Sequence, residues 1–127
     1  MNNTKMLNLY SINAALLILH EIDSAFWKEW DLFGLPGGIE LFLILNFFLI
    51  YFVLLGLKYI ASGNSRGFYF ALFLSVSGIV AFLLHTGYML TGHTEFRTVM
   101  SIIILLLFFV FSLLLGRVAI KYRRRHE

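Results

Sequence analysis

The chain contains no cysteine, a single proline and little charge: 13% of its 127 residues, against ~25% in ordinary soluble domains. The missing cysteine excludes disulfides, thiol catalysis and thiolate metal sites. Scarce charge, with 60% hydrophobic residues and a mean hydropathy of +0.85, excludes a soluble globular domain. Long linkers, low-complexity tracts and a separate soluble domain are also missing. Any chemistry must therefore sit in apolar segments and their short connections. Segments of ~10 residues with alternating polarity, the signature of a membrane β-barrel, are not seen either.

What is present is continuous apolar sequence. Ile39 to Ile60, Gly67 to Leu90 and Val99 to Ile120 each supply the ~20 residues that a spanning helix needs. The first apolar stretch lacks a small-residue cleavage site and is not read as a signal peptide. It leads into "LHEIDSAFWKEW", residues 19–30, which packs a histidine, carboxylates and two tryptophans together. A helix ending at Leu19 would fall well short of the ~30 Å hydrocarbon core at ~1.5 Å per residue. Extension to Trp27 supplies the length and puts Phe26, Trp27 and Trp30 at headgroup level, where aromatic rings prefer to lie. His20, Glu21 and Asp23 then enter the outer membrane, which is costly unless they face the bundle and find partners.

The expected architecture is all-α: one domain, an up-down-up-down four-helix transmembrane bundle with spans at about 7–27, 39–60, 67–90 and 99–120. The connections are the turn "FGLPGG", which holds Pro36, then "SGNSRG" and "TGHTEF". Lys5, Lys58, Arg66, Arg117, Lys121, Arg123, Arg124 and Arg125 share the side of both termini, and only Lys28 and Arg97 lie opposite. The excess of basic residues makes the termini cytoplasmic, in a bacterial inner membrane. The basic tail "KYRRRHE" reads as a topology anchor that can touch anionic lipid, and nucleic acid is not expected.

Acids and histidines gather on the opposite, outer side. His85 lies about 8 Å below the outer end of the third span by the helix rise, close to the depth of His20. Imidazoles on two helices at one depth, with carboxylates nearby, suit zinc, iron or manganese. Asn13, His20, Ser24 and Trp27 share a stripe, and so do Ser75, Gly78, Phe82, His85 and Met89. Asp23 flanks the first stripe. His20, Asp23 and His85 are therefore the expected ligands or acid–base groups. Glu21 points about 100° away from His20 and is an auxiliary ligand, as is Glu40 at the start of the second span. His93 and Glu95, on the outer turn, can close over the site. Asn46 reads as helix-packing glue.

"LHEIDSAFWKEW…FGLPGGI" resembles the opening of a family of small, uncharacterised four-span bacterial membrane proteins, with matching residues His20, Glu21, Asp23, Trp27, Trp30, Pro36 and Gly37. The resemblance covers residues 19 to 39 and implies topology, with no activity attached. Four-span sterol-isomerase-like proteins also place histidine and acids in a membrane pocket, but the motif order here does not follow theirs.

Three functions compete. One is a metal or acid–base site acting on a lipid- or quinone-like small molecule, for which one protomer offers little pocket volume unless the chain forms a homo-oligomer. Another is a b-type haem held between His20 and His85. The third is a non-enzymatic scaffold, assembly factor or transporter accessory protein, whose outer rim (Glu29 and Asp31) binds a membrane-protein partner. A channel is disfavoured, because the inner halves of spans two and four are almost wholly apolar.

Overall fold

The computed structural model describes residues 3–124; Arg125, His126 and Glu127 of the basic tail lie outside the described residues. Among the described residues all regular structure is helical, in five helices: α1 (Asn3–Phe26), α2 (Glu29–Leu32), α3 (Gly38–Ala61), α4 (Gly67–Leu90) and α5 (Val99–Arg124). Three of them, α3, α4 and α5, are long and apolar enough to cross a membrane. At ~1.5 Å per residue α1 is also long, roughly 36 Å. Its sequence, with Asn8, Asn13, His20, Glu21 and Asp23, is much more polar.

The buried residues of α1 run Met6, Tyr10, Asn13, Leu16, Leu17, His20 and Ser24, one stripe at steps of three and four. Those of α4 run Gly67, Phe68, Ala71, Leu74, Ser75, Gly78 and His85 on a similar stripe. At mid-height the polar members pair across the helices, whereas nearer the α2 end Ser24 Oγ and His85 Nε2 are buried without a hydrogen-bond partner. Asn13 Nδ2 donates to the Phe111 carbonyl at 2.8 Å, and Ser112 Oγ donates to Asn13 Oδ1 at 2.9 Å. Ser75 Oγ donates to the Ser112 carbonyl at 2.7 Å. These bonds tie α1 and α4 to α5 at mid-height, where an unmade bond would cost the desolvation of each group. Small residues permit the approach: Gly78 faces Ser112 and Phe108, and Gly116 faces Ser75. The partners run in opposite senses along α1 and α5, and along α4 and α5, so α5 lies antiparallel to both.

α3 is held mainly at its C-terminal half. Tyr10 Oη donates to the Val53 carbonyl at 2.8 Å, Asn3 Nδ2 donates to the Ile60 carbonyl at 2.7 Å, and Gly56 makes room for the Tyr10 hydroxyl. Its buried residues are Val53, Gly56 and Ile60 only. The half from Gly38 to Phe52 contributes none. It packs more loosely: Leu49 borders the core, Phe52 rests on Phe70 and Phe73 of α4, and Trp30 of α2 lies against Phe42 with centroids 5.1 Å apart. A gap therefore opens between α3 and α4 at the end of the bundle that carries α2.

Candidate metal centre

His20 and His85 meet in this end of the bundle, both buried, with ring centroids 4.6 Å apart and planes at 83°. α1 and α4 bring them there because each lies on its helix's inward stripe, two turns beyond the mid-height polar layer. The third member is Glu29, whose Oε1 stands 3.8 Å from His85 Nε2. One ligand atom from each of His20, Glu29 and His85 lies within 4.8 Å of the others.

Glu29 arrives by a backbone reversal. α1 ends at Phe26, and Lys28 adopts a left-handed conformation, φ 51° and ψ 56°. The single turn of α2 then folds back over the bundle end, burying Trp30 and turning Glu29 toward the histidines. A non-glycine residue in this region costs roughly 1–2 kcal/mol. Lys28→Gly is therefore expected to stabilise the protein by ~1 kcal/mol and leave Glu29 in place, whereas Lys28→Val is expected to destabilise it, as read by thermal unfolding in detergent.

The His85 ring is fixed through one nitrogen. Its Nδ1 lies 2.8 Å from the Ala81 carbonyl one turn back, a contact that requires the proton on Nδ1. Nε2 is buried and without a hydrogen-bond partner, and in the neutral imidazole it carries the lone pair. Metal-bound histidines are held in this way, the second ring nitrogen donating to a carbonyl or carboxylate. Around a tetrahedral zinc, with bonds of ~2.0–2.2 Å, ligand atoms stand about 3.4 Å apart. To hold such an ion the trio would contract by up to about 1.4 Å, and Glu29, on a four-residue helix, is the member freest to move.

Aromatic rings close the site. Phe96 lies 4.5 Å from the His85 ring and Phe33 5.9 Å, while Phe108 lies 6.0 Å from His20. Phe96 is buried with φ 62°, a left-handed conformation that is uncommon for a bulky side chain. It plugs the space between His85 and Trp27. Beside the trio lies a cavity of about 250 Å³ lined by His20, Glu21, Glu29 and His85, with Leu49 and Leu84 at its sides.

The other residues singled out in the sequence have different surroundings. Asp23 Oδ1 accepts a 2.8 Å hydrogen bond from Ser101 Oγ. Ser101 in turn lies 2.6 Å from Thr98 Oγ1, which accepts from the Ser101 amide at 3.1 Å and caps α5. Asp23 thus joins α1 to the start of α5, where a carboxylate also suits the helix dipole. Glu21 borders the cavity without joining the trio. Glu40 is exposed on the first turn of α3. His93 stacks on Tyr88 with centroids 3.9 Å apart and lies 4.0 Å from Glu95, at the surface. Asn46 Nδ2 donates to the Phe42 carbonyl at 3.1 Å.

No curated protein and no solved structure matches the chain. A family model described as a family of unknown function matches residues 6–122, so that nearly the whole sequence, bundle and histidine pair together, is accounted for by one family. The chain belongs to that family, DUF6713.

Proposed function

We propose that this chain is a four-span integral membrane protein, both termini cytoplasmic, that holds a divalent metal ion in the outer half of its bundle. α1 is the fourth span, crossing beside α3, α4 and α5 with its polar stripe turned inward. His20, His85 and Glu29 are the ligands. The observation that carries this reading is the free, buried Nε2 of His85, its tautomer set by Ala81, facing a carboxylate and a second buried imidazole. A polar nitrogen left unpaired in an apolar interior is costly, and a cation supplies its missing partner. Two histidines and one glutamate form the ligand set of catalytic zinc sites, which keep a fourth position open, and the same set suits iron or manganese.

An ion with an open position is a Lewis acid and lowers the pKa of bound water. The cavity beside it sets Leu17, Leu49, Val80 and Leu84 against the polar trio, Glu21 and Ser77, so the reacting molecule is amphiphilic, of lipid- or quinone-like character. The edge-to-face contact of His20 and His85 leaves no slot for a porphyrin plane between the rings, which favours a bare ion over haem.

Elemental analysis of the tag-free protein, purified in mild detergent, tests the proposal. About one zinc, iron or manganese ion per chain is expected, lost in the His20→Ala/His85→Ala double variant. Iron with a Soret band would move the assignment to haem. A metal-free protein would leave the histidines as helix-orienting groups in a scaffold.

A further inference from the structure

The gap between α3 and α4 is more than a defect in packing. The cavity beside the metal trio is lined by Leu49 of α3 and by Val80 and Leu84 of α4. Val80 and Leu84 are exposed on the outside of the bundle, so the cavity opens sideways, toward lipid. A second cavity of about 200 Å³ runs on from it past Trp30, Phe42, Leu45 and Asn46. Glu21, Glu29 and Leu49 border both cavities, which therefore adjoin, the first reaching α4 and the second lying among α1, α2 and α3. Taken together they reach the range of small-molecule sites, ~300–1,000 Å³.

The chemistry of the cleft is one-sided. Its walls are largely aliphatic and aromatic, with Ser77 and Asn46 among them, and beside the two histidines its floor carries two carboxylates, Glu29 and Glu21, the latter hydrogen-bonded by Asn46. Among the described residues neither carboxylate forms an ion pair with a lysine or arginine. Intramembrane carboxylates are expensive unless something compensates them. If the ion takes Glu29, Glu21 still faces the cleft as an acceptor without a cation. In the metal-free protein such a floor attracts a donor, an ammonium or a hydroxyl, and repels an anion.

We infer that the cleft between α3 and α4 admits a single-chain amphiphile sideways from the outer leaflet, its hydrogen-bond-donating head, a hydroxyl or an ammonium, seated on Glu21. This deepens the proposed function by naming the substrate class, and it rests on the metal reading for the chemistry but not for binding.

Trp30 borders the cleft and Trp27 is the only other tryptophan, so Trp27→Phe leaves one fluorophore beside the site. Dodecylamine, dodecanol and dodecanoic acid, each brominated on the fourth and fifth carbons, serve as quenchers. They are titrated into phosphatidylcholine nanodiscs holding the chelator-treated Trp27→Phe protein. The amine and the alcohol are expected to quench saturably, at mole fractions at least ~10-fold below any effect of the acid. Ala81→Phe, which fills the cavity floor, should remove the saturable part. Glu21→Gln, which keeps the shape, should weaken the amine ~10-fold and the alcohol less. Quenching that rises in proportion to mole fraction for all three probes would show only bulk lipid and overturn the inference. So would saturation that neither variant changes. Zinc content, read separately on untreated protein, judges the metal reading: saturable quenching in a protein that binds no metal sinks that reading and leaves the cleft standing.

Discussion

Glu29→Ala is expected to lower zinc affinity by ~100-fold or more, the largest effect of any single carboxylate in the chain. The reasoning starts from charge. His20 and His85 are neutral ligands, so Glu29 is the only anion in the trio that balances a divalent ion in a low-dielectric setting. Removing groups that merely orient metal ligands typically costs 10–100-fold in affinity, and loss of a ligand should exceed that. A 100-fold loss corresponds to about 2.7 kcal/mol. Asp23→Asn and Glu40→Gln are the comparisons, because one carboxylate is engaged by Ser101 and the other is exposed. Both should keep zinc within about 3-fold of the parent, by competition with a chelating dye. Cobalt substitution adds a spectroscopic reading. Intense visible bands of a four-coordinate ion should weaken in Glu29→Ala and persist in Asp23→Asn. Equal losses in all three variants would mean that the acids act only through the fold.

Glu29 also marks where reading the sequence stops. Apolar runs and turn residues sufficed to locate α3, α4 and α5, because a helix in an apolar setting follows from hydropathy and length alone. Counting residues inward from each helix end placed His20 and His85 at one depth, and their rings are in contact. That arithmetic assumes one continuous helix. It fails at Lys28, whose left-handed backbone reverses the chain and brings Glu29 back to the histidines; by helical projection Glu29 belongs on the outer rim. Lysine carries no signal for that conformation, as a glycine or asparagine would have. Asp23 shows the complementary limit. Its spacing from His20 favours a shared site, yet the start of α5 offers a serine hydroxyl on its flank, a partner nearly eighty residues away that periodicity cannot see. The loose packing of the first half of α3 is equally hidden, because an outward-facing and a cavity-facing leucine look alike in sequence.

Gly78→Ala is expected to destabilise the bundle by about 2–4 kcal/mol and to weaken metal binding at a distance. A methyl group on Gly78 would overlap Ser112 Oγ and press on Phe108. Ser112 cannot simply turn aside. Its hydroxyl donates to Asn13 Oδ1, and its carbonyl accepts from Ser75. Overpacking alone costs ~1–3 kcal/mol, and an interhelical hydrogen bond in a membrane is worth about 0.6–2 kcal/mol. If Ser112 rotates, the bond to Asn13 is lost; if it stays, α4 must move off α5. Ser112→Gly in the Gly78→Ala background separates the two terms. It should recover the steric part of the thermal shift and leave the cost of the unpaired Asn13 oxygen. The effect on the metal centre follows from position. Gly78 lies two turns before His85 on the inward stripe of α4, while His20 is carried by α1, which is itself tied to α5 through Asn13. Pushing α4 away from α5 therefore separates His85 from His20, a pair whose contact of 4.6 Å leaves little slack. Zinc affinity should fall with the thermal midpoint in Gly78→Ala and return partly with Ser112→Gly. A loss of stability with unchanged affinity would mean that the outer half of the bundle holds its histidines independently of the polar layer beneath them.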